Sequence, residues 1–193
     1  MDEPRDGSAS RQPDWRREYK RPFAWQPSRS LLASIRAYQR ASVRRGPFHW
    51  LAQRIAVFRH RFWSVVTGAD IPLNSQLGGG LLLPHPNGIV IHPKATVGPN
   101  CMLFQQVTLG TRGGRGVPRL GCGVDVGAGA RILGDVSIGD YAIIGANAVV
   151  LQDVAPGEIV AGIPAKPVGH RSKSFDPASV LEDETRDSGC ELI

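Results

Sequence analysis

Cysteine is scarce in this chain: Cys101, Cys122 and Cys190 are the three among 193 residues, and no two of them form a C-x-x-C pair. This spacing indicates neither a disulfide framework nor a zinc site. Long apolar runs are also missing, since no stretch approaches the ~18 residues that a membrane span needs. The first 20 residues are charged and polar. We therefore expect no membrane span, no secretory signal and a cytoplasmic location.

Aromatic residues are few, at 7% of the chain, whereas glycine (23) and proline (15) are abundant. Their combined share is well above the usual roughly 12%, but glycine does not recur at every third position as in collagen. The composition predicts a fold rich in turns. Lys and Arg exceed Asp and Glu, 23 to 17. This excess suits anions such as phosphates, with nucleic acid as one candidate among several.

The composition changes along the chain. Residues 1–27 are rich in charge and proline, and they predict a flexible N-terminal arm. Residues 28–68 have apolar residues at three- and four-residue spacings, which predicts two helices separated at Gly46-Pro47. Three arginines in the second helix, Arg54, Arg59 and Arg61, are typical of a solvated helix face, with a basic patch as the alternative. Residues 171–193 predict a flexible acidic tail.

From Gly68 onward an apolar residue recurs at every sixth position, in three uninterrupted phases. A six-residue unit is too short to contain a helix, but it fits one short strand and one turn, and three units close a triangular coil. An antiparallel sandwich would instead show two-residue alternation. The repeated positions are Ile71, Leu77, Leu83, Ile91, Val97, Leu103, Leu109, Leu120, Val126, Ile132, Ile138, Ile144 and Val150.

Two interruptions break this phase, one of two residues around 84–88 and one of five residues around 111–118. Insertions in a solenoid map to loops, frequently on the binding face. The sequence therefore predicts a mainly β fold, with a parallel β-helix over residues 69–170 and its chemistry near these two loops.

Four segments carry a resemblance: Asp70-Ile71-Pro72, Pro84-His85-Pro86-Asn87-Gly88-Ile89-Val90, Gln106-Val107-Thr108-Leu109-Gly110 and Ala161-Gly162-Ile163-Pro164-Ala165-Lys166. With the six-residue repeat, they resemble the hexapeptide-repeat acyltransferase superfamily, and within it the serine O-acetyltransferase branch. The resemblance covers about residues 66–170. It implies a left-handed β-helix, a homotrimer or dimer of trimers, acetyl-CoA as co-substrate, a small hydroxyl acceptor, and neither a metal nor a nucleic-acid partner.

His85 is the candidate general base. Transfer of an acyl group to an alcohol needs a group that takes the hydroxyl proton, and imidazole is the usual choice. The resemblance implies an aspartate fifteen residues earlier that orients the imidazole, and Asp70 stands there. His92 is instead typical of a solvated turn residue.

Coenzyme A contacts are also implied by the resemblance. Ala128 and Ala146, small residues at turns, would let the pantetheine arm approach the backbone, and Lys166 would meet a phosphate. The family places the active site between neighbouring β-helices.

Two departures from the branch concern the acceptor. Pro84 stands where the branch has an aspartate before the histidine, and Gly116-Val117 stand where it has an Arg-His pair. Because those residues are associated with serine binding and turnover, a sugar or polysaccharide hydroxyl is the alternative acceptor. Arg112, Arg115 and Arg119 are candidates for replacement contacts.

Other functions stay open at this stage. Carbonic anhydrases of this fold bind zinc through three histidines, but only His85 and His92 fall within the repeat region. A non-catalytic trimeric scaffold would need neither Asp70 nor His85. Serine acetyltransferases often end in an isoleucine that binds O-acetylserine sulfhydrylase, and Ile193 makes that enzyme a candidate partner.

Overall fold

The computed structural model describes residues 12–21, 24–43 and 46–171. The predicted acidic tail, including Ile193, lies outside these residues apart from Arg171. The described chain begins with a short 3-10 helix, followed by two α-helices and thirteen strands. These are the 3-10 helix Trp15–Glu18, α1 Pro27–Ser42, α2 Pro47–Thr67, β1 Gln76–Leu77, β2 Val90–Ile91, β3 Thr96–Val97, β4 Met102–Leu103, β5 Thr108–Gly110, β6 Arg119–Leu120, β7 Asp125–Val126, β8 Arg131–Leu133, β9 Ser137–Ile138, β10 Ile143–Ile144, β11 Val149–Val150, β12 Glu158–Gly162 and β13 Ala165–His170.

The strands form three sheets that wrap into a left-handed parallel β-helix, as the sequence predicts. The first sheet has the order β1-β3-β6-β9, the second β2-β5-β8-β11 and the third β4-β7-β10-β12-β13. Neighbouring strands are parallel, except that β13 runs antiparallel to β12. The closing hairpin β12-β13 therefore ends the third sheet.

The strand register shows how the two interruptions are accommodated. In the regular part of the helix a strand pairs with the strand one full coil later, as Val90 does with Thr108. Across the first interruption Leu77 pairs with Val97, and across the second Thr96 pairs with Arg119. Both of these pairs span more of the chain than a regular coil does, by the length of the insertion between them. The extra residues are thus looped out, and the coils above and below stay in step.

The thirteen repeated apolar residues fill the interior of the β-helix. None is more than 8% exposed, so the inward orientation predicted from the repeat is confirmed. The corners of the triangle hold smaller side chains that are also buried, because the backbone leaves less room there. These corner residues are Ala95, Cys101, Val107, Val124, Ala130, Val136, Ala142, Ala148 and Val154.

The two helices lie before the first coil. Each has a proline in its first turn, where the missing N–H costs no hydrogen bond. α1 buries Leu31, Leu32 and Ile35, and α2 ends at Gly68 in the left-handed conformation, with φ of 64°. None of the described helices is long and apolar enough to cross a membrane.

The described part of the N-terminal arm is docked, although the sequence predicts a flexible arm over 1–27. The amide of Asp14 donates to Asn100 Oδ1 at 2.7 Å, and Asn100 Nδ2 donates to the carbonyl of Gln12 at 2.7 Å. Glu18 pairs with Arg36 of α1 at 2.9 Å. These contacts join the segment to α1 and to the first coils of the β-helix.

Candidate active site

The loop 84–88, which contains the first interruption, presents His85 at the surface. Leu83 and Ile89 are buried on either side of it and fix its two ends. Gly88, with φ of 67°, donates its amide to the carbonyl of Gly68 at 3.1 Å. The loop therefore lies against the C-terminal end of α2, with the His85 side chain exposed to solvent.

Asp70 follows α2 by three residues and lies beside the strand that leaves this loop. Its amide donates to Ile89 at 2.8 Å, and its carbonyl accepts from Ile91 at 3.0 Å. The backbone thus brings the Asp70 and His85 segments together at one edge of the molecule. Within the described residues, the structure has no hydrogen bond or ion pair between the two exposed side chains.

A continuous edge of the β-helix runs from the His85 loop toward the C-terminal coils, between the third and the second sheet. We call this direction upward. Gln106 donates its amide to Asn87 at 2.8 Å, which stacks the next corner directly on the loop. Gly129 then donates to Gln105 at 2.9 Å and Asn147 to Ala128 at 2.8 Å. We call these four stacked corners, at residues 84–88, 104–107, 127–130 and 145–148, the histidine edge.

Ala128 and Ala146 both lie on the histidine edge, one coil apart. Ala128 is half-buried and Ala146 is exposed. A larger side chain at either position would project into the space along this edge. Each of the two positions carries only a methyl group, so neither side chain extends far from the backbone.

Lys166 lies near the upper end of the histidine edge. It stands on β13 opposite Ala161 of β12. A methyl group on Gly145 would lie 3.0 Å from the Ala161 Cβ, so this pair packs directly on the last corner of the edge. The Lys166 side chain is exposed.

The second interruption forms an arginine hairpin at a different edge. Arg112 and Arg115 exchange two backbone hydrogen bonds, at 3.2 and 3.1 Å, around a turn in which Gly113 and Gly114 have φ of 58° and 73°. The hairpin follows β5, whereas the His85 loop precedes β2, so the two loops lie at opposite edges of the second sheet. A groove of about 390 Å³ lies beside this hairpin.

The arginines of this region differ in their contacts. Arg119 pairs with Asp135 at 2.8 Å on the surface. Arg112 and Arg115 line the groove, together with Leu133. Within one chain, these arginines and His85 are not brought into one site.

One polar group on the histidine edge has no sequence signal of its own. The Gln105 Oε1 atom is buried and has no hydrogen-bond partner among the described residues. Residue 105 lies between the His85 loop and Ala128. The six-residue repeat says nothing about it, because Gln105 stands at a corner, away from the repeated apolar positions.

A buried charge pair lies away from this edge. Arg171 donates to Asp125 Oδ2 at 2.8 Å and to the carbonyls of Gly123 and Tyr141. Burial raises the pKa of Asp125, while Arg171 opposes that shift. The pair fastens the end of β13 to the β-helix. Across the described ranges, no cluster of three or more His, Cys, Asp or Glu residues could hold a metal ion.

Comparison with known proteins places this geometry in context. The bacterial transferase hexapeptide model, with six repeats, matches residues 118–152. A serine acetyltransferase of Synechococcus elongatus is 38% identical over 148 residues, which are 72% of this chain and 61% of that protein. The chain spans about half to three fifths of the length of the curated relatives it matches.

Solved structures agree with the sequence matches. A serine acetyltransferase in complex with CoA superposes with a TM-score of 0.62 at 30% identity, covering 75% of this chain and 58% of that one. The soybean serine acetyltransferase apoenzyme superposes with a TM-score of 0.56 at 32% identity, covering 72% of this chain and 69% of that one. The chain therefore belongs to the hexapeptide-repeat acyltransferase superfamily, in its serine acetyltransferase-like branch.

Proposed function

We propose that this chain is an acetyl-CoA-dependent O-acetyltransferase of the serine acetyltransferase type. The observation that supports the proposal is the histidine edge, whose stacked corners include His85, Ala128 and Ala146, with Lys166 on β13 near its upper end. An extended thioester substrate can lie along such an edge, with its acyl end near His85 and its phosphates near Lys166.

His85 acts as the general base in this proposal. Its neutral imidazole takes the proton of the acceptor hydroxyl while the oxygen attacks the thioester carbonyl. The carbon–sulfur bond then breaks, and the imidazolium returns the proton to the leaving thiolate. The products are the acetyl ester of the acceptor and free CoA.

Asp70 is the positioning residue. Its backbone pairs with Val90, so its carboxylate stands on the strand next to the His85 loop. A hydrogen bond from one imidazole nitrogen to this carboxylate would hold the other nitrogen toward the acceptor. Catalytic hydrogen bonds frequently form only when the substrate is bound, which is consistent with the open pair seen here.

CoA is the co-substrate that the edge fits. The solved relative in complex with CoA supports this choice. Ala128 and Ala146 would let the pantetheine arm approach the backbone along the histidine edge. The Lys166 ammonium supplies a positive charge for a phosphate.

A homotrimer, or a dimer of trimers, completes the proposed site. The arginine hairpin and His85 lie at opposite edges of one sheet, so they approach each other only across an interface between two copies. Arg112 and Arg115 of one copy would then face an acceptor bound near His85 of its neighbour.

Serine is the first candidate acceptor, and a sugar or polysaccharide hydroxyl is the second. Pro84 has no carboxylate to bind the serine ammonium group, and this observation favours the sugar. A non-catalytic trimeric scaffold is the remaining alternative. The names of the relatives support serine.

The test measures thiol release from acetyl-CoA with L-serine and with a panel of sugars. We expect saturable release with one acceptor class and a fall in kcat by about 10² to 10⁴ in His85→Ala. His92→Ala is the matched control, because His92 lies at a different corner and its Nδ1 accepts from Lys94 at 3.2 Å. Asp70→Asn should lower kcat while leaving the KM for acetyl-CoA unchanged.

Each outcome of this test has a clear meaning. Release with serine assigns the acceptor, and release only with a sugar assigns the alternative. Wild-type turnover in His85→Ala removes the proposed base, and no release with any acceptor favours the scaffold.

A separate assay adds the C-terminal decapeptide, ending in Ile193, to O-acetylserine sulfhydrylase. Unchanged sulfhydrylase activity would remove that partner.

A further inference from the structure

The outer face of α2 is an exposed apolar stripe. Six apolar residues recur along it at three- and four-residue spacings, and each is between 50% and 85% exposed. Such spacing places them on one side of the helix. A contiguous apolar surface of this kind marks an interaction site. The stripe consists of Phe48, Leu51, Ile55, Phe58, Phe62 and Val65.

The opposite face of α2 already has its partner inside the chain. Ala56 and Thr67 are buried there, and the His60 ring lies 2.8 Å from the carbonyl of Ile71. The stripe therefore cannot turn inward without breaking these contacts. Among the residues that the structure describes, none covers the stripe, so it lies on their surface.

Arginines line both edges of the stripe. At about 100° per residue, Arg54 and Arg61 fall along one edge and Arg59 along the other. All three are exposed, and none makes a salt bridge with another described residue. The Arg54 guanidinium lies 5.3 Å from the centre of the Trp50 ring. An apolar face with arginines and a tryptophan at its borders is typical of a helix that lies in a membrane interface.

The charge of the whole helical segment points the same way. Residues 19–69 contain ten Lys and Arg and no Asp or Glu, whereas the rest of the chain contains 13 Lys and Arg and 17 Asp and Glu. The positive charge of the protein is thus concentrated in the part of the sequence that contains α1 and α2. Anionic lipid headgroups attract such a segment, by about 1 kcal/mol for each Lys or Arg near the surface.

We propose that the α2 stripe docks the protein on an anionic lipid bilayer, with α2 lying in the plane of the interface. The apolar side chains enter the boundary between headgroups and acyl chains, and Arg54, Arg59 and Arg61 contact lipid phosphates. The proposal is independent of the proposed enzymatic activity, because the stripe lies outside the histidine edge.

A second copy of the chain fits the stripe less well. Its α2 would bring the same three arginines, and no residue between 19 and 69 offers a carboxylate to pair with them. Two stripes face to face would therefore gather six arginines without a counter-charge. A surface of anionic headgroups supplies that charge at every edge of the stripe.

The test is vesicle flotation in a density gradient, which measures how much of the full chain rises with the lipid. One sample contains vesicles of phosphatidylcholine alone, and the other contains vesicles that also include phosphatidylglycerol. We expect flotation with the anionic vesicles at low salt and its loss at high salt. Phe58→Ser should weaken binding by about tenfold, because the removed ring is the apolar surface that lipid would cover. Arg54→Gln and Arg61→Gln should each weaken it by about fivefold.

Matched controls use exposed residues far from the stripe. Val168→Ser removes an apolar side chain that is 65% exposed on β13, and Lys94→Gln removes an exposed charge in a turn. Both controls should float like the wild type. Phe58 is 74% exposed, so its replacement should leave the thermal unfolding curve unchanged and keep the test interpretable.

Two results would overturn the proposal. The wild-type protein could stay at the bottom of the gradient with anionic vesicles, or Phe58→Ser could float like the wild type. In the first case, a mass that falls in Phe58→Ser, measured by light scattering, would assign the stripe to a second copy.

Discussion

The β-helix and α2 place their apolar side chains in opposite environments. In the β-helix, one apolar residue per six-residue unit points inward, and none of the thirteen is more than 8% exposed. In α2, six apolar residues at helical spacing are at least half exposed. Both patterns are regular, so neither arises from chance composition.

The difference between the two regions lies in what covers their apolar side chains. Each coil of the β-helix covers the next one, and the chain itself completes that core. α2 has two apolar sides, and α1 with the first coil covers only one of them. A periodic apolar pattern therefore predicts burial in the folded chain only where the chain provides the covering surface.

Replacing one apolar residue in each region should give the largest difference in the free energy of unfolding. Leu109 is fully buried in the middle of the β-helix, and Leu109→Ala should lower the free energy of unfolding by about 2–5 kcal/mol, since it leaves a cavity. Phe58→Ala on the stripe should change it by less than about 0.5 kcal/mol. Urea unfolding followed by circular dichroism, at one fixed protein concentration, measures both.

Equal losses in the two variants would contradict this expectation. They would mean that the stripe is covered within the folded protein in solution, and that α2 belongs to the same cooperative core as the coils.

The joint between the two regions should show the next largest effect. The Arg36 side chain donates to Leu77 and Gly78 at 2.6 Å each, and it pairs with Glu18, which is 8% exposed. Arg36→Ala removes the charged partner of that carboxylate and leaves it only the hydrogen bond from the Leu81 amide at 3.1 Å, so we expect a loss of about 2–3 kcal/mol in the free energy of unfolding. Urea unfolding measures this loss.

Arg40→Ala is the matched control, because Arg40 is exposed one turn later on the same helix. Trypsin should also cleave near Lys20 faster in Arg36→Ala than in the wild type, since the docked segment loses its main anchor. An unchanged cleavage rate would show that the Asn100 contacts and the Leu81–Glu18 hydrogen bond hold the segment without Arg36.

The coils could be predicted from the sequence because their pattern has few solutions. One apolar residue per six, with a small residue four places later, fits a triangular coil and little else. The two interruptions could be located closely, since any insertion shifts the phase of every later strand. The longer register offsets of the Leu77–Val97 and Thr96–Arg119 pairs match the two predicted insertions.

The side-chain geometry of the candidate site and the docking of the N-terminal arm could not be predicted from the sequence pattern. Asp70 and His85 are exposed side chains, and the repeat fixes where their backbones lie but not how the side chains meet. The docking of residues 12–18 depends on hydrogen bonds to Asn100 and on the Glu18–Arg36 pair, which have no period in the sequence. The unpartnered Gln105 oxygen was missed for the same reason.

The thiol of Cys101 reports whether the coil core opens. Cys101 is fully buried at a corner, and its thiol donates to the carbonyl of Gly121 at 3.2 Å. Burial raises the pKa of Cys101 to about 12 from its ordinary value of 9.0. Because the thiolate is the reactive form, alkylation at pH 8 should be slower than for a free thiol by about 10³-fold or more.

Iodoacetamide labelling followed by peptide mass spectrometry measures this protection at Cys101 separately from the half-buried Cys122. We expect Cys101 to remain unmodified in the native protein and to react fully in guanidinium chloride. Substitutions on the α2 stripe should leave its protection unchanged, whereas Leu109→Ala should reduce it, since a weakened core opens more often. Rapid native labelling of Cys101 would show that the coils open locally, and that their burial is less complete than the contrast with α2 requires.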